Sequence, residues 1–366
     1  MDVIVALKEK GRKLSINQFN VALFSDDGNV DDFLTLLEDN KIGNDSDKAY
    51  GLVNKRFGDV HPDHASVVKQ TTAFNDYGNS VFRVLQLTGF VTVDYEGVLL
   101  LSPNENRIGL YKALKSLKFR ITAEAKESET EYFKALGSFE SELEELVRSY
   151  RKEEDNSTVG YNEKIPGIIK SYGLDQTFIE HALLKLSKGD TRGKDCFWFI
   201  QTPVKFEFLL TLYAYTCFGD TFVYKPNYIC DEAGIPYSHA PGNVGDIEIY
   251  NKDKYWLVEA TLIRSKNQQV NSETINLFRH VDTTKVGSKY LTLVAPYIHD
   301  DTRLVFNVAS IITMIQTEEA SLYSDSQTTL EFVNGLKRGD YFGAMHTKNV
   351  EFVLNLRNKL NAITRL

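Results

Sequence analysis

The sequence predicts an α/β protein in which a helical front half leads into a mixed sheet flanked by helices. Three observations carry that expectation. Up to about residue 190, apolar residues recur at helical spacing between polar turns. After residue 195 the texture changes to one aromatic-rich helix followed by short apolar strands. A late apolar run, SKYLTLVAPYIHDDT, reads as a buried strand with a polar exit. At 366 residues the chain is longer than a single core usually serves, so two or three packed units are expected.

Residues 1–60 form a small helical region, in which SINQFNVALFSDD and NVDDFLTLLEDNKIG each offer a Ser, Asn or Asp N-cap. Residues 61–115 read as a winged-helix-like module. A first helix turns at Asn75 to Asn79, SVFRVLQLTG is a second helix closed by Gly89, and FVTVDY with GVLLLS forms a hairpin around Glu96 and Gly97. Such a module serves equally as a DNA reader or as a rigid protein contact. Residues 116–190 are a charged helical linker, with GSFESELEELVRSYRKEEDNS its clearest amphipathic stretch, a break at Asp155 to Gly160, and a short helix starting at Pro166. Residues 191–366 are the remaining domain and hold the sheet.

Composition narrows the function classes. Hydrophobic residues at 42% and charged residues at 25% exclude a disordered chain. Cys196, Cys217 and Cys230 lack the CxxC spacing of a zinc or redox site and suit a reducing compartment, and no signal peptide or apolar run of membrane-spanning length is visible. A cytoplasmic protein with no membrane partner is expected. The net charge of -8 argues against a uniformly basic nucleic-acid coat but not against local basic patches. Lys112, Lys115, Lys118 and Arg120 form one cluster, and Lys337, Arg338, Lys348, Arg357, Lys359 and Arg365 are spread along the tail; solvated helix faces account for either group.

The chemistry gathers after residue 200. Hydrolysing a phosphodiester with a divalent metal takes hard oxygen ligands on rigid backbone, a few ångströms apart and open to water on one side. Asp246 opens a strand after the turn APGNVG, and Glu259 ends the apolar run WLVEA, with a turn at Asn251 to Lys254 between them. Folding DIEIY back on YWLVEAT sets the two carboxylates side by side. Glu259 lies among apolar neighbours, where its charge calls for a metal or a salt bridge. Glu207 is the lone acid in the aromatic helix PVKFEFLLTLYAY. A further helix, QQVNSETINLFRHV, carries Gln268, Glu273, Arg279 and His280; taken singly, each also suits an exposed helix position.

These residues together resemble the AlwI, MlyI and BstNBI group of Type IIS restriction and nicking endonucleases. FEFLL on a helix, GD before a strand, VEATL on the next, Gln-x4-Glu-x5-Arg-His, and then a LVAP strand with an Asp-Thr exit follow the family's order. VFRVLQLTGFVTVDYEGVLLLSP resembles its region ahead of the cleavage domain. The resemblance implies a PD-(D/E)XK nuclease domain hydrolysing double-stranded DNA with Mg²⁺, for which Mn²⁺ can substitute, and it implies Glu207, Asp246, Glu259 and Glu273 as the acidic site. Thr261 stands two positions after Glu259, where the wider superfamily has lysine, so the group that assists the attacking water stays open between Gln268, Glu273, a metal-bound hydroxide and the substrate phosphate. On this reading Asp246, Glu259 and the Ala260 carbonyl hold one ion and Glu207 helps place it or a second, while Arg264 and Lys266 hold flanking phosphates. Gln268, Arg279 and His280 complete the DNA-contact set.

The family's long N-terminal recognition region is largely missing from this sequence. That departure fits a truncated chain, one subunit of a two-chain enzyme, or a nuclease targeted by another protein. One active site cuts one strand, so double-strand cleavage needs a second subunit or a homodimer. The rivals are a non-catalytic DNA-binding or assembly subunit and a transposase- or resolvase-type nuclease; the first wins if Glu207, Asp246 and Glu259 lie farther apart than the reach of one metal coordination sphere. HPDH at His61 to His64 reads as a polar loop, FSDDGNVDD lacks calcium-loop spacing and reads as a helix N-cap, and no Walker A, GxGxxG, GxSxG or HExxH occurs.

Overall fold

In a computed structural model the protein is described over residues 1–23, 29–39, 42, 45–60, 71–116, 128–138, 140–151, 160–190, 195–241, 244–273, 280, 288–306, 322–339 and 358. It divides into two compact units, residues 1–159 with 231–235, and residues 160–230 with 236–366.

The first unit contains α1 (Asp2–Glu9), β1 (Leu14–Ser15), α2 (Ile16–Leu23), α3 (Val30–Asp39), α4 (Ser46–Val60), α5 (Thr71–Leu87), β2 (Val91–Tyr95), β3 (Leu99–Pro103), α6 (Glu105–Ser116), α7 (Glu129–Gly137) and α8 (Glu140–Arg151). Its helix starts follow the local chemistry. Ser15 Oγ accepts from the Gln18 amide while Gln18 Oε1 accepts from the Ser15 amide, a reciprocal cap for α2. Asn29 Oδ1 accepts from the amide of Asp31 at 3.0 Å and caps α3. The expected hairpin forms, with Val93 opposite Leu101 and Gly97 at φ 76° in its turn. The strand β1 adds to β3, giving a sheet in the order β1-β3-β2.

The expected turn at Asn75 to Asn79 does not form: α5 is helical straight through it. A Cβ at Gly78 would run into the Asn20 amide of α2, so the glycine marks a close helix–helix approach and not a break. The preceding stretch, including His61 and His64, lies outside the described residues.

The second unit begins with α9 (Tyr161–Ser171) and α10 (Gln176–Ser187), followed by α11 (Thr202–Phe218), β4 (Val223–Pro226), β5 (Ile229–Cys230), β6 (Pro236–Ser238), β7 (Ile247–Tyr250) and β8 (Lys254–Ala260). After these come the short α12 (Lys266–Gln268), β9 (Ser288–Ala295), β10 (Leu322–Thr328) and α13 (Thr329–Arg338). The stretch 161–187, read from sequence as linker, therefore folds with the sheet-bearing unit, because Ile165, Ile168, Ile179 and Leu183 are fully buried there. Pro166 lies inside α9 and does not start it. Burial of Tyr161, Ile165 and Ile168 at helical spacing outweighs the one backbone bond the proline removes.

The sheet of this unit is five-stranded and mixed, in the order β10-β9-β8-β7-β4. The pairs β4–β7 and β7–β8 are antiparallel, whereas β8–β9 and β9–β10 are parallel. One face carries Tyr255, Leu257, Leu291, Leu293 and Ala295, packed with Ile298 and Phe306. On the other, Trp256 meets the Phe332 ring of α13 at 5.5 Å and Tyr224 donates to the Ala214 carbonyl of α11. From Val204 to Ala214 the helix α11 is buried on every side. This is the mixed α/β architecture expected from sequence.

Candidate active site

The site is built where β7 begins and β8 ends. Asn251 makes the hairpin turn: its Oδ1 accepts from the amides of Asp253 and Lys254, and its own amide donates to the Lys254 carbonyl. That turn fixes Ile247 opposite Val258. Extending the register by one residue sets Asp246 opposite Glu259, as the sequence spacing predicts. Asp246 Oδ2 accepts from the Ala260 amide at 2.8 Å, which ties the first carboxylate to the end of the second strand. Gly245 is required just before it, since a Cβ there would strike Leu257 and crowd Glu259 Oε1.

Glu259 is only 7% exposed, and His280 Nδ1 donates to its Oε1 at 2.6 Å. Two expected members of the site are thereby brought together. Glu207 is 5% exposed on α11, and its Oε2 is buried with no hydrogen-bond partner among the described residues. Burial, reinforced by the negative charge of Asp246, pushes its carboxyl up to about 9. A buried acid left unsatisfied beside another acid is the combination that marks functional sites more often than structural ones. The other buried polar side chains near it are paired: Lys205 reaches Asp195 at 3.0 Å and Thr211 Oγ1 donates to the Glu207 carbonyl.

The remaining expected residues divide. Arg264 is exposed and its guanidinium donates to the Ser187 carbonyl. Lys266 is exposed and pairs with Asp301 at 2.6 Å. Gln268 is exposed as well, and the buried amide is its neighbour, Gln269, with 0% exposure. Gln269 Nε2 donates to the carbonyls of Ile263 and Tyr297, and its Oε1 accepts from Thr302 Oγ1, so it staples the loop after β8 to the loop after β9. Glu273 ends a π-helical turn over 269–273, a local irregularity frequent at functional sites. Arg279 lies outside the described residues.

Sequence reading missed Glu248, Lys225 and Asn227. Glu248 is 7% exposed; Lys225 Nζ lies 2.6 Å from its Oε1, and Asn227 Nδ2 donates to that same oxygen and to the Gly245 carbonyl. Strand alternation offered a signal for Glu248, two residues from Asp246 and so on the same face. Nothing local announces the other two.

The donor set has the chemistry of a hard divalent cation: two carboxylates facing across a strand pair, a backbone carbonyl at Ala260, and the orphaned oxygen of Glu207 nearby. Among the described residues no three His, Cys, Asp or Glu side chains gather about one point. Glu207, Asp246 and Glu259 are therefore not brought about one point, the outcome that favours the non-catalytic rival.

Residues 179–323 match the family model of the AlwI restriction endonuclease, the stretch that holds every acid of the site. The resemblance seen in the motifs is thus borne out over this part of the chain. Among solved structures, the small subunit of the heterodimeric restriction endonuclease R.BspD6I is similar at 18% identity, over 48% of this chain and 88% of that one, with a TM-score of 0.32. No curated protein matches the chain. Among the described residues no helix is long and apolar enough to cross a membrane.

Proposed function

We propose that the second unit is a Mg²⁺-dependent endodeoxyribonuclease of PD-(D/E)XK type, the cleavage part or a subunit of a restriction or nicking enzyme. The observation that carries this reading is the facing of Asp246 and Glu259 across β7 and β8, with the unsatisfied Glu207 carboxyl under the influence of Asp246. The family match over residues 179–323 supports it.

Asp246, Glu259 and the Ala260 carbonyl would hold the ion, which when bound acidifies a water and offsets charge on the phosphate. The chain's own contribution is orientation. The Ala260 amide holds Asp246, His280 holds Glu259, and the Gln269 staple fixes the loop that carries Arg264. Glu207, its carboxyl pushed up to about 9 by burial and Asp246, would offer the ion a further hard oxygen, its ionised form being the one a bound cation favours. The helix–strand–helix order of the first unit, closed by its β1-β3-β2 sheet, supports a winged-helix module that docks DNA or a partner chain. A single site nicks; double-strand cleavage requires a second copy or subunit.

The test is conversion of supercoiled plasmid with and without Mg²⁺, native chain against Asp246→Ala and Glu259→Ala at matched thermal stability. Metal-dependent nicking lost in both variants is expected. A native chain that neither cuts nor binds Mg²⁺ by calorimetry sinks the reading. That outcome would favour a non-catalytic assembly subunit, for which the absence of a three-acid cluster among the described residues is the supporting observation.

A further inference from the structure

The polar network beside Asp246 holds a cation that nothing above assigns. Strand register arranges it in two rungs on one face of the sheet. Lys225 lies opposite Glu248, Glu248 opposite Leu257, and Leu257 opposite Leu291. Two residues along, and on the same face by alternation, Asp246 faces Glu259, which lies opposite Leu293. The rungs are roughly 7 Å apart along the strands. Asn227 closes the network from the edge strand: its amide donates to the Asp246 carbonyl, and its side chain to Gly245 and Glu248.

Those two rungs carry three acids and one base, and the base pairs with Glu248. A buried Glu248 left charged beside Asp246 and Glu259 would repel any phosphate brought to them. Lys225 removes that repulsion, and it does so with an amine that has donors to spare. The ammonium has three N–H groups, and Glu248 takes one at 2.6 Å. The Lys225 side chain remains 30% exposed, and among the described residues Glu248 is the acceptor seen at its ammonium.

We propose that Lys225, held upright by Glu248, contacts a DNA phosphate adjacent to the one at Asp246 and Glu259. The inference rests on the nuclease reading but is separable from it. Lys225 then has two duties, balancing Glu248 and gripping the backbone, and only the second is lost for good when both residues are neutralised.

The experiment is a double-mutant cycle of Lys225→Met, Glu248→Gln and the pair, read by fluorescence anisotropy of a labelled duplex without divalent cation over a salt series, with Lys225→Arg as the conservative variant. Lys225→Met is expected to weaken binding about tenfold and to lower the salt slope by about one, the signature of one lost phosphate contact. Glu248→Gln weakens binding less and keeps the slope. The double variant stays as weak as Lys225→Met, and Lys225→Arg restores the slope. A double variant that regains native affinity, a slope unchanged in Lys225→Met, or a native chain that binds no duplex overturns the proposal. Plasmid nicking by Asp246→Ala, run alongside, tests the nuclease reading independently: cleavage that survives this substitution defeats that reading while leaving the anisotropy result to stand or fall alone.

Discussion

Two buried carboxylates in the same unit, Glu207 and Glu248, are nearly equal in exposure at 5% and 7% yet opposite in circumstance. Glu248 has an ammonium at 2.6 Å and an amide donor from Asn227; Glu207 has an oxygen with no donor among the described residues and an acid for a neighbour. Burial alone therefore says little about role. What separates a structural acid from a waiting one is whether the folded chain supplies its counter-charge. Glu248 is satisfied within the protein, whereas Glu207 is held in a state that an incoming cation would improve.

The largest effect should come from the carboxylates that face each other. Asp246→Ala and Glu259→Ala are expected to lower the Mg²⁺-dependent nicking rate by at least on the order of 10²–10³, the scale of losing one preorganised electrostatic group. Retention of near-native cleavage by either variant would remove that residue from the site.

Breaking the satisfied pair should cost stability instead. Glu248→Ala takes the carboxylate from the Lys225 amine and one of the two acceptors from the Asn227 side chain, which keeps the Gly245 carbonyl. It should destabilise the chain by about 2–3 kcal/mol in urea unfolding, short of the roughly 3–5 for a wholly buried pair because Lys225 is 30% exposed. An unchanged unfolding midpoint would mean that the pair contributes nothing to folding.

Glu207 makes the opposite prediction through pH. Its folded carboxyl lies near 9, above the ordinary carboxylate value, so between about 4.5 and 9 the folded state binds more proton than the unfolded one. Its contribution to stability is complete below the unfolded value and is lost as pH rises through that window. The metal-free melting temperature should accordingly fall with rising pH, and fall less in Glu207→Gln, which keeps the shape and discards the titration. Parallel curves for the two proteins would show that Glu207 does not titrate in this way.

A neighbouring pair of amides gives the finest test. Gln269→Ala removes a fully buried staple and strands the groups it satisfies, a cost of about 1–3 kcal/mol, while Gln268→Ala on the exposed side should stay within about 0.5 kcal/mol. Equal effects in thermal melts would contradict the burial seen for the two.

Much of the site was legible because it is local. The Asn251 turn and the alternation on either side of it place Asp246 against Glu259 without reference to the rest of the chain. Glu207 stood out as the one acid in an apolar helix, and the caps of α2 and α3 were readable from Ser15 and Asn29. Reading stopped where chemistry is ambiguous at short range. Glycine at 78 looks the same in sequence whether it breaks a helix or lets two helices touch, and Gln268 and Gln269 differ only in which way the chain happens to face.

By itself, then, the sequence determined the kinds of element, the acidic hairpin and its resemblance to a nuclease family, since propensity, periodicity and turn chemistry act over a few residues. Only the tertiary structure decided that 161–187 joins the sheet-bearing unit, that β9 runs parallel beside β8, and that the edge strand β4 brings Lys225 to Glu248 and Asn227 to Asp246. Those partners lie some twenty residues or more apart, and no local pattern encodes which strand becomes whose neighbour. The choice falls to whichever arrangement buries the most apolar surface while leaving the fewest polar groups unpaired.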